Sequence, residues 1–154
     1  MIIPAVSLVA MTACSDNVQD FSPASCVNPF IGASTSVGDA GVYHGLGKTF
    51  PGATTPYGMV QVSPNTITGG DNASGYSYEH KTIEGFAFTQ MSGVGWFGDL
   101  GNFLVMPTTG PMKTIAGKED GSISGWRSAY DKDTETAQAG YYMADLTDYG
   151  IRVE

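Results

Sequence analysis

Charge is scarce in this chain. Only 14% of its 154 residues are Asp, Glu, Lys or Arg, and 7 basic residues stand against 15 acidic ones, a net charge of −8. No basic cluster exists, and a surface of that sign repels phosphate backbones, which excludes nucleic acid as a partner. It does not repel a neutral sugar. Surface polarity has to come from Ser, Thr, Asn, Gln and Tyr, groups that hydrogen-bond polyols as readily as water. Long hydrophobic runs are missing as well: Met1 to Met11 is mostly apolar but falls short of the about 20 residues that a bilayer span needs. Histidine occurs twice, at His44 and His80, far apart and with no second ligand at metal spacing, so no metal site is expected here and both are read as surface or loop residues.

What the chain has in excess is glycine. It carries 21 Gly and 8 Pro, the two worst residues for a helix interior, against an average Gly usage of about 7%. Short strands and many turns follow, in a chain long enough for one domain with a real core. The expected class is all-β. Tyr57 to Ser63 alternates and reads as a first strand, and Thr82 to Gln90 as a second with Phe86 and Phe88 on one face. Phe103-Leu104-Val105-Met106 is apolar on both faces and reads as a central strand ended by Pro107. Trp126 to Tyr130 and Tyr141 to Leu146 read as two strands joined by the polar connection Asp131 to Gly140. Gly69 to Asn72 and Asp148-Tyr149-Gly150 are turns by composition. Ile151 to Glu154 alternates as a strand should, and a break inside a strand suggests a fragment, since it strands backbone groups and apolar area. Several short strands spaced by turns suit an antiparallel β-sandwich, incomplete at this length.

At the amino terminus an apolar stretch is followed by Thr12-Ala13-Cys14 and then polar Ser15-Asp16-Asn17. That pattern resembles a bacterial lipoprotein signal in which Cys14 is lipidated, although the first basic residue is Lys48 and such signals normally open on Lys or Arg. Residues 1–14 are then signal, 15–26 a polar tether and 27–154 the domain, held at the bacterial cell envelope with membrane contact only through the lipid. Cys26 is expected to be a small, partly buried residue. A Cys14–Cys26 disulfide closing a short loop is the alternative.

Two spellings of familiar motifs fail on physical grounds. Gly93-Val94-Gly95-Trp96-Phe97-Gly98 matches G-x-G-x-x-G, but the mechanism needs a helix N-terminus facing the pyrophosphate. Here the motif runs toward a strand closed by Pro107, and Trp96 and Phe97 would crowd the phosphates. Asp131-x-Asp133-x-Glu135 opens like a calcium loop, yet Thr136 and Tyr142 occupy the places of the required Gly and Glu, so a solvated acidic loop is expected. Glycoside hydrolysis usually needs two carboxyl groups about 6.5–9.5 Å apart when configuration inverts. Most of the 15 acids sit among charges or turn residues, and only Asp99 lies in a Gly-rich aromatic block. One carboxylate cannot serve as both acid and base, so no catalytic residue is expected in this chain. Ser92 to Asn102 is better suited to binding. Its glycines, Gly95 among them, let backbone approach a ligand closely, Trp96 can pack against a pyranose face, and Asp99 and Asn102 can bond hydroxyls.

The run Thr49-Phe50-Pro51-Gly52-Ala53-Thr54-Thr55-Pro56-Tyr57-Gly58-Met59-Val60-Gln61-Val62-Ser63-Pro64 is one that no general rule of folding demands. With Asn28-Pro29-Phe30-Ile31-Gly32, Ser92 to Gly101 and Ala139-Gly140-Tyr141-Tyr142, it resembles the N-terminal domain of glycoside hydrolase family 92, the calcium-dependent exo-acting α-mannosidases. The resemblance covers roughly Val27 to Glu154. It implies a β-sandwich that packs on a helical C-terminal catalytic domain and lends it the 92–102 loop. It also implies a mannose-containing glycan as substrate, inversion at the anomeric carbon, and calcium held in the complete enzyme but not by this chain alone. Members often carry His just before the Ser-Gly pair, where this chain has Phe88 and Gln90, so linkage preference stays open. A free-standing carbohydrate-binding surface lipoprotein is the alternative from another class.

Overall fold

The computed structural model describes residues 22–34, 49–66, 74–90 and 103–154. Among these residues eight short strands follow one 3-10 turn at Pro23–Cys26: β1 (Ser63–Asn65), β2 (Thr82–Ile83), β3 (Gly85–Ala87), β4 (Leu104–Val105), β5 (Ser128–Ala129), β6 (Thr136–Gln138), β7 (Tyr141–Leu146) and β8 (Ile151–Val153). They form three antiparallel sheets, ordered β1-β3-β4, β2-β5 and β6-β7-β8. The core draws on all three. Phe86 comes from the first sheet, Ile83 from the second, and Tyr142, Ala144 and Leu146 from the third, with Tyr130 beside them. Phe86 and Tyr142 meet across the layers with ring centroids 6.4 Å apart. The all-β, sheet-on-sheet reading therefore holds.

The β6-β7-β8 meander shows why its sequence folds as it does. Along β7 the buried residues are Tyr142, Ala144 and Leu146, every second position, as a half-buried strand requires. Ala139-Gly140 turns the chain between Gln138 and its partner Tyr141, and Gly140 takes φ 80°, where a Cβ would collide with Thr55 Oγ1. Thr147 to Gly150 makes the second turn, closing the register at Leu146 and Ile151. Tyr141 to Leu146, the turn at Asp148-Tyr149-Gly150 and the strand after it lie where the alternation puts them.

Elsewhere the structure corrects the sequence reading. Tyr57 to Ser63 is not a strand. Thr55 to Gly58 turns, with Gly58 N donating to Thr54 O at 2.7 Å and Gly58 at φ 67°, so Tyr57 and Met59 project 87% and 86% exposed; the ladder begins only at Ser63. Thr82 to Gln90 is two strands in different sheets. The chain changes sheet at Glu84, whose N–H donates to Asn65 O and whose carbonyl accepts Trp126 Nε1 at 3.0 Å. Phe103 to Met106 is not central. β4 pairs only with β3 among the described residues, leaving Leu104 and Val105 39% and 52% exposed; apolarity on both faces here marks an uncovered edge. The Asp131 to Gly140 connection contains β6, and the Trp126 to Tyr130 strand contracts to β5. Cys26 is exposed, not partly buried, and is a free thiol. The acidic loop is only half solvated: Asp131 and Asp133 are exposed, while the Glu135 side chain is 2% exposed. The turn at Gly69 to Asn72 lies outside the described residues, and so does Cys14.

Candidate functional site

The residues expected to bind substrate, Gly95, Trp96, Asp99 and Asn102, lie outside the described residues. The fold nevertheless fixes where their segment leaves and returns. It joins β3 to β4, which pair antiparallel through Phe86 with Val105 and Ala87 with Leu104. Both ends are therefore at one end of the sheet, the end where Ser63 pairs with Ala87 and β1 begins. That end is rich in exposed apolar groups: Tyr57, Met59, Phe88 and Phe103. Beneath them run polar side chains. Gln61 N donates to Phe88 O at 2.9 Å, and Gln61 Oε1 accepts the N–H of Gln90 at 3.1 Å. The Gln90 side chain is held against Gly75, which has φ 69°; a Cβ there would collide with Asn65 Oδ1 and come 2.9 Å from Gln90 Oε1. Gln90 is 4% exposed, and neither its carboxamide atoms nor Ser63 Oγ has a hydrogen-bond partner among the described residues. Buried amides of this kind are uncommon and costly.

Two further polar assemblies join distant segments, although Arg127 Nε in the first has no hydrogen-bond partner among the described residues. Arg127 reaches Glu84 in an ion pair, and its Nη1 donates at 2.9 Å to both Thr66 O and Thr82 Oγ1. Thr66 Oγ1 lies 3.1 Å from His80 Nδ1, so His80 is a half-buried loop residue. In the second assembly Glu135 accepts the phenols of Tyr76 and Tyr142 and the ammonium of Lys132. Burial, together with the Glu135 charge, pushes the hydroxyls of Tyr76, Tyr130 and Tyr142 far above the ordinary phenol range. Sequence reasoning missed both assemblies. Their members are scattered over some sixty positions, and the only advance signal is the count of 8 Tyr.

Glu84 and Glu135 are buried carboxylates, and each is tied to a cation, Arg127 and Lys132 respectively. Among the described residues no group of three His, Cys, Asp or Glu side chains could hold a metal ion.

Comparison with known proteins gives a consistent answer. The glycosyl hydrolase family 92 N-terminal domain matches residues 26–154. An uncharacterized secreted glycosidase of Arthroderma benhamiae is 31% identical over 112 residues, 70% of this chain and 14% of that protein. Among solved structures, the family GH92 alpha-mannosidase of Bacteroides thetaiotaomicron is 42% identical over 82% of this chain and 16% of its own, with a TM-score of 0.71. The same enzyme bound to mannoimidazole gives 41% and 0.70. A second family 92 glycosyl hydrolase gives 31% identity and 0.61 over 80% of this chain. The chain spans only 14–16% of the length of these relatives.

Proposed function

The chain belongs to glycosyl hydrolase family 92, as its N-terminal domain, and from that premise we propose that it shapes the substrate pocket of an α-mannosidase. The complete enzyme would release terminal α-linked mannose from glycans, in the manner of an α-1,2-mannosidase, with inversion. The observation that carries the reading is the 42% identity and TM-score of 0.71 to an alpha-mannosidase over 82% of this chain.

In this reading the domain supplies no catalytic group. The acid, the base and calcium belong to a helical catalytic domain, and no step assigned to this chain runs through the metal. Its own contribution is the segment between β3 and β4. Trp96 covers the apolar face of the sugar, Gly95 gives the backbone room, and Asp99 and Asn102 bond hydroxyls. The strand pair delivers both ends of that segment to one rim, which is how a rigid sheet presents a variable binding loop. Export is part of the proposal, in keeping with a relative described as secreted; lipid attachment through Cys14 would then hold the protein at the bacterial envelope.

The test is kinetic. An indole against a sugar face removes apolar area from water at about 25 cal/mol per Å², so in a complete enzyme carrying this domain Trp96→Ala should cost about 1–3 kcal/mol of transition-state stabilisation, read in kcat/KM. If the variant melts early while the surviving folded enzyme keeps its kinetics, Trp96 is a core residue and the segment is no part of the site. Tight binding of mannosides by the chain alone, with no partner, would favour the free-standing carbohydrate-binding module instead.

A further inference from the structure

A cavity of about 590 Å³ opens beside the hairpin that precedes β5, with Thr66, His80, Lys81, Lys118, Glu119 and Arg127 in its wall. The hairpin is tightly drawn. Lys118 N–H donates to Ile123 O and Trp126 N–H to Ile115 O, both at 2.9 Å, and a Cβ on Gly125 would strike the backbone of Ala116. Its tip is pinned to the residue before β2, where Glu119 Oε1 accepts the backbone N–H of Lys81 at 2.7 Å. Charge sets this wall apart. The chain has 7 Lys and Arg against 15 Asp and Glu, yet three of the seven, Lys81, Lys118 and Arg127, gather at this one cavity with one of the two His.

The anions nearby are already committed. Glu119 is spent on the Lys81 N–H, Asp120 accepts the N–H of Ser122 at 2.9 Å, and Glu84 pairs with Arg127. Arg127 also donates to Thr66 O and Thr82 Oγ1, so it stands as a fixed charge in the wall. The ammonium groups of Lys81 and Lys118 have no ion-pair partner among the described residues. His80 adds a third donor. Thr66 Oγ1 accepts the Ser77 N–H at 2.8 Å and lies 3.1 Å from His80 Nδ1; with the hydroxyl proton given to Nδ1, the imidazole carries its own proton on Nε2. No Trp, Tyr or Phe stands among the described residues of the wall, so a neutral pyranose finds no ring to pack on. We propose that this cavity binds an anionic group of a glycan, a phosphate or a carboxylate, with Lys81, Lys118 and His80 as donors and Arg127 as the fixed charge behind them. Hydrogen bonds from charged donors to such oxygens are about twice as strong as neutral ones, and the net charge of −8 elsewhere disfavours adventitious anions. That the anion is carried on a glycan rests on the proposed function; that the cavity takes an anion does not.

The experiment is a titration of the full 154-residue chain at low salt with inorganic phosphate, mannose 6-phosphate, glucuronate and mannose, read in the NMR signals of the His80 ring. The chain has two His, and His44→Gln assigns them. Saturable displacement of the His80 signals is expected with phosphate and with at least one sugar anion, weakened by added salt. Mannose should cause none. Lys81→Gln and Lys118→Gln, both at exposed positions, should each weaken phosphate binding about threefold to fivefold. Arg152→Gln removes the same charge from β8, outside the cavity, and should leave the affinity unchanged. Failure to saturate by about 50 mM phosphate, where even a weak site fills, would overturn the inference. Equal weakening by Arg152→Gln would reduce the effect to bulk charge and overturn it too, and displacement by mannose as strong as by phosphate would make this a neutral sugar site instead. Binding of phosphate with neither sugar anion would overturn the glycan part. The Trp96 kinetics decide the mannosidase reading separately from all of these.

Discussion

Removing the carboxylate of Glu135 should unlock more of this domain than any other single truncation on its surface-facing loops. The Tyr76 phenol donates to it at 2.9 and 3.2 Å, the Tyr142 phenol at 2.8 Å and Lys132 Nζ at 2.8 Å. Lys132 also lies over the rings of Tyr78, Tyr130 and Tyr76, at 4.1, 5.0 and 5.2 Å from their centroids. One side chain thus ties the loop after Tyr130 to β7 and to the 74–78 segment. Hydrogen bonds to a charged group contribute about 1.5–3 kcal/mol each, and removing one partner of a buried pair costs about 3–5 kcal/mol. The two figures describe overlapping losses and do not add. Lys132 keeps a 28% exposed side chain, so water can recover part of its charge. We therefore expect Glu135→Ala to cost about 4 kcal/mol, a large share of a stability of about 5–15 kcal/mol. Glu135→Gln keeps the shape and loses the charge, and should cost about 1–2 kcal/mol. Urea unfolding followed by circular dichroism at neutral pH measures both. Asp145→Ala, which breaks the exposed pair with Arg152, should leave the midpoint where it was. If Glu135→Ala unfolds with the wild-type midpoint, the assembly is decoration and the reasoning fails.

The same cluster predicts an alkaline limit. Tyr76, Tyr130 and Tyr142 have raised folded pKa values, so the folded state holds protons that the unfolded chain releases. Their contribution is complete below the ordinary phenol value near 10 and is lost above it, at about 1.4 kcal/mol per pH unit for each phenol; a midpoint independent of pH between 9 and about 11.5 would contradict this. Trp126→Phe removes the indole bond to Glu84 O and should lower stability by about 1 kcal/mol without changing the kinetics of a complete enzyme, which makes it the internal control for Trp96→Ala. The 154-residue chain alone should show no turnover of α-mannosides with calcium present, and calcium-dependent release of mannose by the purified chain would refute that.

The parts of the fold that could be read in advance are those whose information is local. β7 is legible because burial of Tyr142, Ala144 and Leu146 imposes period 2 on six consecutive residues, with glycines closing both turns. Where long-range pairing decides, the sequence misleads. Thr82 to Gln90 looks continuous, and nothing local announces that Glu84 is drawn to Arg127 43 positions away and splits the strand between sheets. Tyr57 to Ser63 alternates well enough for a strand, but Pro56 and Gly58 turn it. Phe103 to Met106 has the composition of a central strand, but composition does not fix pairing, and among the described residues β4 pairs with β3 alone. The candidate site was legible only as a block of unusual composition, and its four residues remain an expectation resting on family membership.

Buried polarity in this domain falls into two kinds, and their locations differ. Around Glu135 and Arg127 the carboxylates and the guanidinium Nη atoms find partners, and the bonds join segments far apart in sequence; such networks stabilise and fix one arrangement. Gln90 and Ser63 are of the other kind, with a carboxamide and a hydroxyl that bond nothing among the described residues. Replacing an unpaired buried amide with an apolar group of similar shape is nearly neutral or stabilising, so stability alone gives no reason to keep Gln90. Its place does offer one. It sits three residues beyond the end of β3, bonded through its backbone N–H to Gln61 Oε1, where the chain departs toward the segment proposed to meet the sugar. The Glu135 assembly ties the loop after Tyr130 to β7, whereas the Gln90 carboxamide, without a partner among the described residues, lies where the chain leaves for the segment proposed to meet the sugar.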